Sequence, residues 1–237
     1  MILTATGLAM TGRLEPTSLG LAAGVTCLVG PNGSGKTSLL HALAGIGDAA
    51  GSVAIDGADP RRAAPARRRR LLSFLPASRE VFWPLSGADL IALGGAQADG
   101  ALLEALGIAA FADRRIDQLS TGERSRVLIA RALAPEPRVV LLDEPVSNLD
   151  PLWQLKLLDH VRAAARERNQ ALLIAMHDLD LAADYADRLI IMHERRIAAD
   201  GEPHALLAGP HIPQIFGIER DGGRWRPVSP ESRRSSP

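Results

Sequence analysis

Lysine is nearly absent from this chain. Lys36 and Lys156 are the only two among 27 lysine and arginine residues, the rest being arginine. A lysine placed inside a glycine-rich loop therefore stands out as a chemical choice, because its compact ammonium is not interchangeable with a guanidinium. Net charge is absent too, since 27 cationic residues balance 27 acidic ones. That removes the global positive field that draws proteins to nucleic acid or anionic lipid, and no nucleic-acid partner is expected. Cysteine occurs once, as Cys27, which excludes an intrachain disulfide framework and fits a reducing compartment. Its apolar setting reads as a small core residue. No run reaches the roughly 18 apolar residues of a membrane-spanning helix. The opening MILTATGLAMTGRLEP has neither a basic n-region nor a long apolar segment, so no secretory signal is expected. Any membrane crossing would fall to another subunit. Aromatic residues make up 3% of the chain, with none among residues 1–73. What is left, 237 residues of which 46% are hydrophobic, is enough for one large domain with a buried core.

The apolar pattern places the elements. Residues 25–29 (VTCLV) are a compact apolar run closed by Gly30 and read as a buried strand. Residues 37–46 (TSLLHALAGI) put Leu39, Leu40, Leu43 and Ile46 on one helical face. Residues 51–57 (GSVAIDG) alternate and end in Asp-Gly, the pattern of a strand entering a hairpin. From about residue 82 to 134 the character is helical, which reads as an inserted lobe. Residues 139–142 (VVLL) form a buried strand running into Asp143-Glu144-Pro145. Asp150-Pro151 reads as the N-cap and first position of a helix to about residue 168. Residues 171–176 (ALLIAM) are another buried strand, meeting His177, and residues 189–192 a further one. Strands alternating with helices imply a parallel sheet covered on both faces. The basic stretch at residues 61–70 (RRAAPARRRR) reads as a solvated loop or helix face. Residues 227–237, rich in Ser, Pro and Arg, read as a disordered tail.

Three motifs carry chemistry. The first, GPNGSGKT at residues 30–37, matches the G-x-x-x-x-G-K-[ST] phosphate loop and stands between a strand and a helix, the context it requires. Gly30, Gly33 and Gly35 let the backbone wrap closely, so that N–H groups from Asn32 through Ser38, Ser34 among them, converge on one anion. The helix start adds its dipole. Lys36 is expected to reach the terminal phosphates of ATP, and the Thr37 hydroxyl to bind Mg²⁺. The second motif is Asp143-Glu144 at a strand end, where Asp143 can hold Mg²⁺ and Glu144 can polarise an attacking water. The third is LSTGER at residues 119–124, where a serine hydroxyl and backbone N–H groups at a helix start can meet an anion.

With the third motif the sequence resembles the ABC-type ATPases, whose signature is usually written LSGGQ. Ser120 and Gly122 match. Thr121 stands where glycine is usual, and Glu123 where glutamine is common. The resemblance covers roughly residues 14–205. It implies an α/β P-loop NTPase fold with a parallel-sheet core, an N-terminal antiparallel β subdomain and an inserted α-helical subdomain. The domain so expected spans residues 1–226, with its core at 1–75 and 135–215 and the helical lobe at 76–134. It also implies a head-to-tail dimer in which Ser120 and Gly122 of one copy complete the ATP site of the other. Asp150 resembles the aspartate that reaches across such a dimer, and His177 the switch histidine that contacts the γ-phosphate.

Two departures stand out. Ala77 occupies the position where a glutamine normally follows a strand at the start of the helical lobe, and Gln97 lies too far along to substitute. No aromatic precedes the phosphate loop to stack on adenine, and the guanidinium of Arg13 is the available substitute. Residues 81–94 (VFWPLSGADLIALG) and 211–219 (HIPQIFGIE) resemble the ATPases of siderophore, haem and cobalamin importers. That resemblance implies a separate membrane permease, to which Phe82 and Trp83 could dock. It further implies a periplasmic or surface substrate-binding protein and a peripheral place on the cytoplasmic side of the cell membrane. The alternative reading is a degenerate or regulatory subunit that binds ATP with little turnover. Ala77 supports it; Glu144 and His177 oppose it.

Overall fold

A computed structural model describes residues 1–81, 83–95 and 100–228. Its main sheet has six strands in the order β5-β6-β7-β3-β8-β9: β3 (Gly24–Val29), β5 (Leu72–Leu75), β6 (Val139–Asp143), β7 (Ala171–Ala175), β8 (Arg188–His193) and β9 (Arg196–Gly201). Neighbours from β5 through β8 run parallel, and β9 returns antiparallel to β8. Strands β6 and β7 are buried at every position, as both-face coverage demands. The alternation within β3 sorts its side chains. Val25, Cys27 and Val29 face one core, while Leu28 faces another. Cys27 is fully buried, and burial pushes its thiol up to about 12.

The second core joins the sheet to α1 (Lys36–Ala44) and to an antiparallel layer of β1 (Leu3–Met10), β2 (Leu14–Leu21) and β4 (Ala50–Ile55), ordered β2-β1-β4. The first core joins the opposite sheet face to the helices inserted between β5 and β6 and to those after β6. The insertion holds α3 (Gly87–Ala92), α4 (Gly100–Ala105) and α5 (Thr121–Leu133). Its preceding helix α2 (Pro65–Leu71) carries Arg67 to Arg70 on an exposed face, the solvated surface expected of the basic run.

Three expectations shift. Helix α1 ends at Gly45, whose left-handed φ of 69° caps it, and Ile46 beyond the cap is 41% exposed instead of sharing the buried face. Asp56-Gly57 does make a tight turn, with positive φ at both residues. It closes only a single bridge, Ile55 to Ala58, and the partner of β4 is β1, not a following strand. Residues 211–219 divide at Gly217 into α9 (His211–Phe216) and β10 (Ile218–Asp221), which pairs with β11 (Arg224–Pro227). Pro227, placed in the tail by composition, therefore belongs to a strand, and residues 229–237 lie outside the described chain.

The carboxyl ends of β3, β6 and β7 lie side by side, with Leu28 paired to Ala175 and Asp143 to Ala175 across the parallel ladders. Open α/β sheets bind ligands at such strand ends.

Candidate functional site

The loop from β3 to α1 is built on close approach. A Cβ on Gly30 would lie 2.4 Å from the Met192 carbonyl oxygen, so only glycine fits where β3 leaves the sheet. Gly35 caps α1 at φ 102°, a conformation L side chains rarely adopt. The Lys36 side chain folds back over the loop. Its Nζ donates to the carbonyls of Gly30 (2.7 Å) and Pro31 (3.3 Å). Burial lowers the Lys36 pKa, opposed by the nearby carboxylates of Glu144 and Asp143. A cavity of about 360 Å³ lies against the loop, lined by residues 32–38 together with Gly12, Arg13, His41, Glu144 and Arg195. Arg195, in the left-handed region, ties that wall together. Its N–H donates to the Ser34 carbonyl, and its guanidinium donates to the Gly12 carbonyl. Asn32, Gly33 and Thr37 are exposed at the loop. Ser34 is buried with a hydroxyl that has no partner.

The end of β6 supplies the acids. Asp143 is fully buried, and among the described residues neither of its carboxylate oxygens has a hydrogen-bond partner. Burial raises its pKa. The nearby Thr37 hydroxyl pulls the other way, Glu144 raises the value further, and His41 and Lys36 lower it. Glu144 turns the chain at φ 51°, and its N–H donates to the Ala175 carbonyl of β7. The strained turn aims the Glu144 carboxylate at His177, with 2.6 Å between Oε1 and Nε2. His177 follows β7 immediately before Asp178, the cap of α7 (Leu179–Tyr185). Two adjacent strand ends thus produce an acid–imidazole pair next to the phosphate loop.

A buried carboxylate with free oxygens is unfavourable unless something binds it. Its raised pKa gives the sign. The cost is absent below the ordinary carboxylate range, where Asp143 is protonated folded or unfolded, and is complete once pH passes its raised folded value. Asp143→Asn is therefore expected to stabilise the nucleotide-free protein at neutral pH by about 1 kcal/mol, roughly 3 °C in melting temperature. Thermal unfolding across a pH series checks this, and the gain should fade toward acid. A variant that melts lower at neutral pH would contradict it.

Ser120 caps α5. Its hydroxyl accepts from the Glu123 N–H (3.2 Å), while the Glu123 carboxylate accepts from the Ser120 N–H and hydroxyl (both 2.9 Å). Glu123 thus closes a capping box. Gly122 packs close to Asn148, where a Cβ would sit 3.3 Å from the carbonyl. Asp150 caps α6 (Pro151–Glu167) through the Trp153 N–H. Ser120 and Asp150 are exposed, and neither they nor Gly122 line the phosphate-loop cavity of their own chain.

Where a glutamine was looked for, Ala77 is exposed. Two residues on, Arg79 is buried, and its Nη2 donates to the backbone carbonyls of Asp143 and Glu144, each at 3.1 Å. Burial lowers the Arg79 pKa, opposed by Asp143 and then Glu144. Sequence reasoning passed over this residue, as it did His41 and Arg195. The available signal was an arginine next to the vacant glutamine position. Phe82 and Gln97 lie outside the described residues.

A family profile described as ABC transporter matches residues 14–147. The hemin import ATP-binding protein HmuV of Bordetella pertussis is 36% identical over 229 residues, covering 88% of this chain and 87% of that protein. The chain belongs to the ABC transporter ATP-binding family. It is an ATP-binding and ATP-hydrolysing subunit. The cobalamin import ATP-binding protein BtuD of Halobacterium salinarum is 37% identical over 202 residues, 80% of this chain and 51% of that one. In fold, the cassette resembles a solved ATP-binding subunit of an ABC transporter, with a TM-score of 0.78 at 23% identity over 92% and 94% of the two chains. It is also similar to a bacterial Atm1-family ABC exporter with ATP bound, with a TM-score of 0.77 at 25% identity over 90% of this chain and 41% of that one. These relatives favour the ATPase over the degenerate-subunit alternative.

Proposed function

We propose that the cassette couples Mg²⁺-dependent ATP hydrolysis to the import of a metal chelate such as haem, cobalamin or a siderophore. It would do so as a head-to-tail pair, on the cytoplasmic face of a membrane, beneath a separate permease served by a substrate-binding protein. The observation that carries the reading is the meeting of Lys36, Asp143 and the Glu144–His177 pair at three adjacent strand ends. The names of the haem- and cobalamin-import relatives support the cargo class.

Residues 32–38 cradle the phosphates with backbone N–H groups, and Lys36 exchanges its two carbonyl partners for phosphate oxygens. The orphaned oxygens of Asp143, with the exposed Thr37 hydroxyl nearby, form a hard oxygen set that suits Mg²⁺. When bound, the ion supplies charge neutralisation at the phosphates. Glu144 accepts a proton from the attacking water as its oxygen bonds to the γ-phosphorus and the bond to the β-phosphate oxygen breaks, leaving ADP and phosphate. His177 holds the Glu144 carboxylate in place and faces the γ-phosphate. Ser120, Gly122 and Asp150 lie outside their own chain's cavity, and in the pair they serve the partner's nucleotide. For Ser120 to do so, its hydroxyl proton leaves Glu123 for a phosphate oxygen.

A cleft of about 380 Å³ between β5 and α5, lined by Phe74, Leu75 and Leu128 and by the charged Arg68, Glu80 and Arg131 among others, offers the permease a seat of mixed character. Trp83, 68% exposed, stands in the same segment. Among the described residues no helix is long and apolar enough to cross a membrane, so the crossing itself is assigned to the permease.

Specific ATPase activity measured across a protein concentration series tests the pairing. It is expected to rise with protein concentration until the pair saturates, and to vanish when Mg²⁺ is chelated. Constant specific activity at all concentrations would remove the shared-site reading.

A further inference from the structure

Arg79 is a buried cation for which the phosphate-loop chemistry has no assigned use. It is 8% exposed, and its Nε and Nη1 have no hydrogen-bond partner among the described residues. Its Nη2 alone is engaged, bridging two consecutive carbonyls, those of Asp143 and Glu144. The Glu144 carbonyl also accepts from the N–H and hydroxyl of Ser147. That peptide belongs to the residue held at φ 51°, whose carboxylate reaches His177.

The setting matters on two counts. A single side chain from the segment between β5 and α3 fixes the backbone that carries both candidate catalytic acids. The same side chain places a positive charge close enough to the Asp143 and Glu144 carboxylates to be stabilised by both. Ala77, exposed in that segment, has no amide with which to reach this place, whereas Arg79 reaches it from two residues further along.

We propose that Arg79 is a positioning residue that clamps the Asp143–Glu144 turn and links the β5–α3 segment to the acids, at the same time weakening Mg²⁺ binding at Asp143. The clamp keeps the strained turn in the geometry that points Glu144 toward the attacking water. Motion of the helical lobe, which begins just after Arg79, is passed to Glu144 through the two carbonyl bonds. The inference rests on the Mg²⁺-ATPase reading, and its test separates the two.

Two variants divide the roles. Arg79→Gln keeps an N–H donor and loses the charge, whereas Arg79→Lys keeps the charge on a shorter side chain that lacks Nη2. Binding of a non-hydrolysable ATP analogue is titrated with Mg²⁺ in each full-length protein, alongside steady-state hydrolysis. Removing a cation next to a metal site strengthens metal binding, so Arg79→Gln is expected to lower half-saturating Mg²⁺ by about tenfold, with Arg79→Lys close to the parent. The turn loses the Nη2 bridge in both, and kcat is expected to fall by up to about 10²-fold with KM for ATP little changed. Arg79→Gln with the parent's Mg²⁺ dependence and kcat would overturn the proposal. So would a Mg²⁺ shift of equal size in Arg79→Lys, because charge would then not be the cause. If the parent itself binds the analogue and hydrolyses ATP without Mg²⁺, the underlying reading fails instead.

Discussion

Replacing Glu144 with Gln is expected to leave ATP bound and stop its hydrolysis. The substitution preserves side-chain length and a carbonyl oxygen that can still face His177 Nε2, now 2.6 Å from the carboxylate. It removes the proposed general base. A positioned general base is worth about 10²–10⁴-fold in rate, so kcat should fall by that factor while affinity for ATP stays within a few-fold. Because the φ of 51° belongs to the backbone turn, Gln and Glu bear the same strain, and thermal stability should hold. In the proposed head-to-tail pair, blocked hydrolysis would keep the bridging nucleotides in place, so the pair should accumulate in the presence of Mg-ATP. Phosphate release, equilibrium ATP binding and size in solution check the three statements together. A variant that turns over at the parental rate would remove Glu144 from the reaction, and His177 or a water chain would have to supply the base.

Much of this arrangement was legible in the sequence because its signals are local. A glycine pattern around Lys36 between a strand and a helix, two acids at the end of VVLL, and a histidine at the end of ALLIAM each report a strand terminus. In a parallel sheet, strand termini on one edge converge. The order of strands was not legible. That β3 lies between β7 and β8, bringing residues 29, 143 and 176 together, depends on long-range pairing that no window of sequence contains. Ile46 misled for a local reason, since a helical face was extended across Gly45, which caps the helix by turning left-handed. Asp56-Gly57 misled for a non-local one, because the turn forms while the second strand of its hairpin does not, and β1 takes the pairing instead.

Arg79 was missed because its role depends on direction, not on type. Its neighbours Ser78 and Glu80 are exposed, and composition alone would place all three residues in solvent. Only the burial of the middle one, over the turn that follows β6, separates a surface arginine from a clamp on the acids. The capping box at Ser120 carries the converse lesson. The spacing of Ser120 and Glu123 was visible, and the structure shows the plain helix cap that such spacing makes in any protein. The proposed second role in a dimer would add to that cap, and the exposure of Ser120 leaves room for it.

Lys36→Ala is the other large effect, and it separates binding from stability. In the parent Lys36 is 7% exposed, and its ammonium is held by the Gly30 and Pro31 carbonyls near two carboxylates. Burial still outweighs these partners, since the Lys36 pKa lies below its ordinary value. For a lysine with a lowered pKa the charged form is disfavoured in the folded state, so the penalty is fully present at neutral pH and disappears only above the ordinary lysine range. Removing the ammonium therefore relieves one cost while exposing Asp143 and Glu144 to each other, and melting temperature should move little. Binding has no such compensation. Two charge-assisted contacts to phosphate are worth about 1.5–3 kcal/mol each, so loss of both predicts at least about 10²-fold weaker ATP binding. Hydrolysis should become undetectable, because the same charge faces the phosphoryl group during transfer. A fluorescent ATP analogue and a thermal melt on one preparation read the two quantities separately. Weak binding with an unchanged melt places Lys36 at the phosphates. A collapsed melt would make it a structural plug of the loop, and parental binding with a normal melt would move the nucleotide away from the loop altogether.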